Sequence, residues 1–173
     1  MKKSKIRRND VLKLVAVLLL NLLVMLALVF ILDYAQAEEY YVLCRPESEV
    51  NIRERPKLKS GIVACYFFGD RVATDGLEEN GFVHVVDING EVSEGWMYRG
   101  LLVDDPPVAS HGTAQVFCDG RVACRKYADG KIQRWLEDGS EVKVYAISEV
   151  WCVTEYGYIK TEFLTVNAKV WQP

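Results

Sequence analysis

The chain has 173 residues, with 21 Lys or Arg, 24 Asp or Glu and a formal net charge of −3. Residues 1–37 hold six of the basic and two of the acidic residues, so 21 less six and 24 less two leave 15 basic and 22 acidic residues, a net charge of −7, in the remainder. Nucleic acid is a poor partner for so acidic a surface, because phosphate binding needs clustered basic side chains. Anionic wall polymers are poor ligands as well, unless one face of the fold is locally basic.

The first predicted element is an apolar helix over residues 14–32, LVAVLLLNLLVMLALVFIL, in which Asn21 is the only polar residue. A helix of this length, at ~1.5 Å per residue, is about as long as the hydrocarbon core of a bilayer is thick. The basic cluster before the run predicts that the N-terminus stays in the cytoplasm and that the rest of the chain lies outside. The protein is therefore predicted to be extracytoplasmic, either secreted or anchored in the cell membrane.

The end of this segment leaves those two alternatives open. Ala35 and Ala37 place small residues where a signal peptidase reads, so cleavage before Glu38 would release a secreted protein. The apolar run is longer than the ~7–15 residues usual for a cleaved signal peptide, which favours an uncleaved signal anchor. A lipoprotein is not expected, because the first cysteine after the run is Cys44.

After residue 38 the sequence predicts strands alone, because short apolar runs alternate with Gly, Asp and Asn and show no helical period. Asn80-Gly81 and Asn89-Gly90 predict tight hairpins, since both residue types tolerate positive φ. The tail 165–173 alternates apolar residues and is predicted to add an edge strand or to pack across an interface. The predicted strands are 40–44, 61–68, 71–77, 82–88 and the closing segment 95–102, then 114–118, 130–136, 140–148, 149–156 and the closing segment 157–164.

The exported part contains the same order of motifs twice, which predicts two similar β-units. Pro106-Pro107 between them blocks helix and central strand and predicts an extended spacer. The first copy reads VNIRERP (50–56), FFGDRV (67–72), NGFVHV (80–85) and GWMYRGLL (95–102), and the second reads VACRKYADG (122–130), LEDGSEV (136–142), SEVWCV (148–153) and GYIKTEFL (157–164). The predicted domains are therefore a signal or anchor segment 1–37, a first unit 38–103, a linker 104–112 and a second unit 113–173 with its tail.

This order of motifs resembles the bacterial SH3-like (SH3b) domain. The first copy fits the pattern through Asn51, Arg53, Gly69, Asp70, Val72, Asn80, Gly81, Phe82, Val85, Gly95, Trp96, Leu101 and Leu102. The second keeps Arg125, Gly139, Val142, Trp151, Gly157, Phe163 and Leu164, but has Ala123 for Asn, Ser140 for Asp and Tyr158 for Trp. The resemblance covers residues 40–164 and implies an all-β fold of two tandem small SH3-like β-barrels behind one hydrophobic helix. Such domains commonly bind cell-wall peptides or cross-bridges.

Candidate ligand-binding residues follow from the motifs and the aromatic content. Arg53 is expected either to hold a ligand carboxylate or to fix a loop through backbone carbonyls or Asp70. Trp96 is either a stacking platform or the closure of the barrel, and the remaining aromatic residues either line a peptide groove or fill the core. The candidate set is Tyr41, Asn51, Arg53, Tyr66, Trp96, Tyr98, Trp135, Trp151 and Tyr158.

The five cysteines and the absence of metal-binding motifs limit the chemistry that the sequence can support. All five thiols fall in the exported part, where disulfides are permitted, and an odd number leaves at least one unpaired unless it bonds to another chain. Buried apolar thiols are the alternative, and the connectivity stays open. The sequence contains no C-x-x-C pair, Gly-rich phosphate loop or EF-hand loop, so no cofactor or metal is predicted. The cysteines are Cys44, Cys65, Cys118, Cys124 and Cys152.

The sequence thus favours a non-catalytic binding protein of the cell envelope that recognises a peptide or peptidoglycan fragment through its tandem domains. The alternative is a structural or adaptor subunit of an envelope protein complex, which the divergence of the second copy at Ala123 and Ser140 motivates. The third class is a thiol-dependent enzyme, but nothing in the sequence places a base, an orienting residue and an oxyanion donor together.

Overall fold

The structure is a computed structural model that describes residues 8–34, 38–87 and 94–166. The chain divides into two compact units, Met1–Ala37 and Glu38–Pro173. The predicted cleavage residues Ala35 and Ala37, the Asn89-Gly90 hairpin and the tail beyond Val166 lie outside the described residues.

The first unit contains one helix, α1, over Arg8–Tyr34. Its sequence is apolar on all sides, and its side chains from Val15 to Leu28 are exposed. A search of the described residues for a helix with the length and apolarity needed to cross a membrane finds none.

The second unit contains the predicted strands as two antiparallel sheets, which confirms that the fold is mostly β. Residues that alternate inward and outward form the strands, with β-branched and aromatic side chains on the inner face. The first sheet comprises β1 Glu38–Val42, β2 Glu49–Arg53, β3 Ile62–Phe67, β4 Arg71–Glu79, β5 Phe82–Asp87, β6 Gly95–Tyr98 and β7 Leu102–Val103, with a 3₁₀ turn, η1, at Arg99–Leu101. The second comprises β8 Val108–Ala109, β9 Thr113–Val116, β10 Arg121–Arg125, β11 Ile132–Glu137, β12 Glu141–Ile147, β13 Trp151–Thr154, β14 Gly157–Lys160 and β15 Leu164–Val166, with a 3₁₀ turn, η2, at Thr161–Phe163.

The two sheets share one topology, as the sequence repeat predicts. The strand order is β3-β2-β6-β5-β4-β1-β7 in the first sheet and β11-β10-β14-β13-β12-β9-β15 in the second. Each strand of the first sheet therefore has an equivalent eight positions later in the numbering, and each 3₁₀ turn precedes the last strand. Register makes the equivalence residue by residue: Arg53 pairs with Trp96 on β6, and Arg125 pairs with Tyr158 on β14.

Strands β2 and β10 were not among the strands predicted from the sequence. Each carries the N-x-R-type motif, with Val50 and Ile52 buried in the first copy and Val122 and Cys124 buried in the second. The outward residues of β2 are polar or charged and β10 adds only Ala123 to its two buried positions, so neither five-residue strand gives a strong apolar signal.

The predicted linker 104–112 makes backbone contacts with the second sheet. Its residues Val108 and Ala109 form β8 and pair with β12. The Ser110 N–H donates to the Tyr145 carbonyl at 2.8 Å, and the Glu149 N–H donates to the Asp105 carboxylate at 2.6 Å. Backbone hydrogen-bonding groups after the two prolines are thus satisfied by the second sheet, which holds the connection against it.

Three clusters of buried residues form the core. The first lies inside the first sheet and includes Ile52, Tyr66 and Met97, and the second lies inside the second sheet. The third joins the two sheets, because it combines residues from both copies. Its buried members are Leu43, Val103, Ala128, Ala146, Trp151, Val153 and Tyr158.

Glycines meet two different needs in this fold. Gly81 has φ of 78° beside Asn80 at 54°, the geometry of the predicted tight hairpin. Gly95 and Gly157 instead begin the equivalent strands β6 and β14 where another backbone approaches closely. A Cβ at Gly157 would lie 2.3 Å from the Arg125 carbonyl oxygen, and one at Gly95 would lie 2.3 Å from Ile52 Cγ2.

Replacing Gly157 tests this close approach. Gly157→Ala places a methyl group against backbone and also strains a φ of 122°, whereas Gly120→Ala strains a φ of 96° with nothing within 4 Å. We expect the free energy of unfolding to fall by about 3–4 kcal/mol for Gly157→Ala and about 1–2 kcal/mol for Gly120→Ala. Urea denaturation measures both values, and equal losses would show that the collision is relieved at no cost.

Candidate functional site

A groove of about 440 Å³ lies between the first and second sheets. One wall is the outer face of β2, β5 and β6, and the other is formed by turns and strand ends of the second copy. Both walls are therefore positioned by strands rather than by long loops. The lining residues used below are Arg45, Glu49, Asn51, Arg53, Phe82, Tyr98, Lys126, Tyr127, Gln133, Glu155, Tyr156 and Tyr158.

The first wall contains the motif residues of the first copy. Asn51 and Arg53 are two positions apart on β2, so both side chains point away from the core and are half-buried. Arg53 Nη1 donates to the Ser60 carbonyl at 2.9 Å, which fixes the loop before β3. The equivalent Arg125 Nη1 donates to the Gly130 carbonyl at 2.8 Å. The motif arginine therefore has the same loop-fixing role in both copies.

Aromatic rings continue this wall and meet the second copy. The Tyr98 ring packs edge-on against Phe82 with 5.4 Å between centroids, and it lies 4.8 Å from the Tyr127 ring. Tyr127 in turn lies 6.5 Å from Tyr158. Offset or tilted pairs at these distances are favourable beyond their buried area. The three tyrosines form a continuous aromatic path across the groove.

The charges in the groove are mixed, with a small basic excess. Arg45, Arg53 and Lys126 face Glu49 and Glu155. The Arg45 guanidinium is 4.5 Å from the Tyr145 ring centroid and donates to the Glu155 carbonyl at 3.2 Å. The acidic second unit thus carries a small local excess of positive charge on this concave surface, which favours an anionic ligand group.

Two hydrogen bonds across the seam, one from a side chain and one between backbone groups, hold the two walls in register. The Tyr158 hydroxyl donates to the Leu43 carbonyl at 2.7 Å, and the Ala128 N–H donates to the Gly100 carbonyl at 3.0 Å. Burial raises the pKa of the Tyr158 hydroxyl, so it stays protonated and remains a donor at any ordinary pH. A Cβ at Gly100 would lie 2.8 Å from the Ala128 carbonyl oxygen, so the contact depends on glycine.

The same face of the fold is open in the first copy and covered in the second. Register makes His84 and Trp96 the equivalents of Val153 and Tyr158. His84 and Trp96 are half-buried, whereas Val153 and Tyr158 are only 3% and 6% exposed because the first copy packs over them. The second copy's equivalent of the motif face is therefore part of the seam.

Four of the nine predicted site residues line the groove, namely Asn51, Arg53, Tyr98 and Tyr158, but Tyr158 is only 6% exposed and contributes almost no accessible surface to it. Tyr66 is 0% exposed and belongs to the first core, so its ring is not presented to a ligand. Trp151 is 5% exposed and packs in the seam, and Tyr41 packs against the same cluster. These three residues are structural because strand alternation turns their rings inward or towards the other copy.

The two remaining predicted tryptophans lie outside the groove. Trp96 is half-buried, with its ring 5.0 Å from His84. Trp135 is 51% exposed on the edge strand β11, with the Arg121 guanidinium 5.6 Å from its ring centroid. Trp135 is thus accessible, but it is not part of the lining given above.

Arg45 and Glu49 line the groove from the first copy and were not among the predicted site residues. From the second copy, Lys126, Tyr127, Gln133 and Glu155 were not predicted either. Lys126 and Tyr127 fall within the repeat motif 122–130, but the motif does not show that they face the first copy. Their proximity to Asn51 depends entirely on how the copies pack.

His84 forms a local hydrogen bond with Asp75 on the outer face of the first sheet. Its Nδ1 lies 2.9 Å from an Asp75 carboxylate oxygen. Partial burial opposes ionisation of Asp75, but the hydrogen bonds from His84 and the Leu77 N–H prevail and lower the pKa of that carboxyl. A carboxylate that orients an imidazole is one component of a catalytic pair, but within the described residues this pair contacts no thiol or hydroxyl nucleophile.

All five thiols are free. Burial raises the pKa of Cys44, Cys124 and Cys152 to about 11. The thiolate is the nucleophilic form, so these three thiols are poorly reactive near neutral pH. Cys65 is the exposed thiol, and it donates to Asn51 Oδ1 at 3.4 Å.

No family model and no curated protein matches the chain. Among solved structures, NlpC2 from Trichomonas vaginalis is similar at 15% identity and a TM-score of 0.33, over 79% of this chain and 51% of that one. NlpC1 from the same organism is similar at 17% identity and a TM-score of 0.32, over 76% of this chain and 46% of that one. The chain spans about half the length of these two proteins. Likeness at this level carries no argument about function.

Thiol accessibility gives a direct test of the burial pattern. In the folded protein at pH 8, Cys65 is expected to react first with a thiol reagent and Cys118 more slowly, because desolvation and then the Asp138 and Asp119 carboxylates raise its pKa. A thiol with a pKa near 11 is only about one part in a thousand thiolate at pH 8. The three buried cysteines should therefore react with the reagent only after denaturant is added. Mass spectrometry of labelled peptides measures the order, with Cys65→Ser as control. Rapid labelling of Cys152 would contradict the packing.

Proposed function

We propose that the protein is a non-catalytic binding protein of the cell envelope that recognises a peptide or a peptidoglycan fragment. The observation that carries the proposal is the groove, in which Asn51 and Arg53 of the motif lie together with Tyr98 and Tyr127. Rigid amphipathic rings supply contact area at small entropic cost, and flanking amide and charged groups fix orientation. A zwitterionic, partly apolar peptide matches this combination better than a purely anionic polymer does.

We further propose that the two sheets are a tandem pair of SH3-like barrels. The common strand order, the equivalent arginines that fix a loop carbonyl and the close-approach glycines Gly95 and Gly157 support this assignment. The assignment concerns fold alone, because small barrels of this kind accept many ligands and the site must be argued from its own residues.

The proposed location is outside the cytoplasm, behind the apolar N-terminal segment. The exposed apolar side chains of α1, such as Leu23 at 67%, support a segment that meets lipid or is removed after export. In either case the groove faces the extracytoplasmic space, where wall peptides are available.

A second candidate is an adaptor subunit of an envelope protein complex, and the free sheet edges favour it. Val63 and Phe67 on edge strand β3 are 40% and 52% exposed, and Trp135 on the equivalent edge strand β11 is 51% exposed. Unpaired edges with apolar side chains can accept a strand from another protein. An adaptor would ignore wall material and retain one protein partner.

Co-sedimentation with purified peptidoglycan sacculi tests the first candidate. Residues 38–173, which form one compact unit, should be retained at micromolar concentration. Asn51→Ala should weaken retention about fivefold, because it removes one amide that is available to a ligand in the groove. Gln115→Ala removes an amide of the second copy that is outside the groove lining, and it should leave retention unchanged.

Two results would contradict wall binding through the groove. No retention of the wild-type segment would remove the wall-binding proposal and put the adaptor first. Equal loss with Asn51→Ala and Gln115→Ala would show that retention is not specific to the groove. Circular dichroism of each variant shows whether it is folded, so that loss of retention is not confused with unfolding.

A further inference from the structure

We infer that the protein has one composite binding site that both copies must build, instead of two separate sites joined by a linker. The inference rests on the proposed function and specifies its site. It predicts that each chain binds one ligand molecule, held by residues that are more than 70 positions apart in sequence, such as Asn51 and Lys126.

The lining of the groove is the first argument. The first copy supplies the first wall through Asn51, Arg53 and Tyr98. The second copy supplies the opposite wall through Lys126, Tyr127 and Gln133. Without the second copy the first would keep an open, shallow face, because its outer residues would have no opposite wall. A concave site encloses more ligand surface than a flat one and gives correspondingly greater affinity.

The covered face of the second copy is the second argument. Its equivalents of His84 and Trp96, namely Val153 and Tyr158, are buried in the seam. A ligand could reach them only by parting the copies, which would break the hydrogen bond from Tyr158 to Leu43 and expose the third core. Tandem modules usually gain affinity because binding of one module raises the effective concentration of the second at the ligand. This chain does not have that gain, because the motif face of the second copy is not accessible.

The ligand chemistry follows from the cations at the mouth. Lys126 is exposed and its Nζ lies 5.3 Å from the Tyr127 ring centroid, beside the aromatic path. Arg53 is committed to Ser60 through Nη1, and Arg45 is committed to Glu155. Among the described residues, Lys126 is then the groove cation whose side chain makes no hydrogen bond, and we assign it to a carboxylate of the ligand. Gly100 is a positioning residue, because it permits the approach that brings Lys126 opposite Asn51.

The experiment uses the full-length chain in mild detergent, with sacculi and with soluble fragments released from them by muramidase. Lys126→Gln and Gly100→Ala should each lower affinity about fivefold or more, the first by losing a charge and the second by displacing one wall. Lys143→Gln is the matched control for charge, since its Nζ lies 5.2 Å from the Tyr145 ring outside the groove. Gly61→Ala is the matched control for glycine, because its Cβ would meet only the flexible end of Glu54.

Calorimetry with the soluble fragments adds a readout that a merely structural role would not move. One fragment per chain, with both controls within twofold of the wild type, is the expected result. Two fragments per chain, or wild-type affinity in both Lys126→Gln and Gly100→Ala, would overturn the inference while leaving wall binding intact. Should Gly100→Ala fail to fold, Lys126→Gln still decides, because its side chain is exposed. A wild-type chain that binds neither probe would remove the proposed function and this inference together.

Discussion

The seam between the two sheets is the contact on which the rest of the structure depends. The Leu43 carbonyl is buried there and obtains its donor from the Tyr158 hydroxyl of the other copy. A buried carbonyl that loses its donor costs about 1–3 kcal/mol, so the copies satisfy each other's polar groups as well as their apolar surface. Trp151 and Ala146 pack around this bond in the third core. Small domains near the lower size limit for independent folding benefit most from such shared burial.

The seam also explains why the two copies have diverged unequally. The first copy keeps polar and aromatic residues on its outer face, including His84 and Trp96, which remain partly accessible. The second has Val153 and Tyr158 in the equivalent places, and both are buried. Residues under a packing constraint are selected for shape and apolarity, whereas accessible ones are free to serve recognition. The replacement of Trp96 of the first copy by Tyr158 in the second is thus the expected result of its place in the seam.

Much of the fold could be predicted from local signals, and most of the groove could not. The repeat, the β content and the Asn80-Gly81 hairpin depend on short-range patterns that single residues report. Alternation places Tyr66 and Phe67 on opposite sides of β3, but it does not indicate which side is the core. The presence of Asn51 and Lys126 in one groove has no local signal in the sequence, since it arises from packing between the copies. The pairing of β8 with β12 has no local signal for the same reason.

The contacts that close the groove join residues that are 115 positions apart for Tyr158 and Leu43 and 110 apart for Glu155 and Arg45. Contacts of such separation carry a large loop-closure cost and form late in folding. The N-terminal copy can make all its own strand pairs before the chain is complete, but its second wall arrives only with the last strands. The groove would therefore be complete only once the last strands are in place. Truncation near the C-terminus would leave the first copy without its opposite wall.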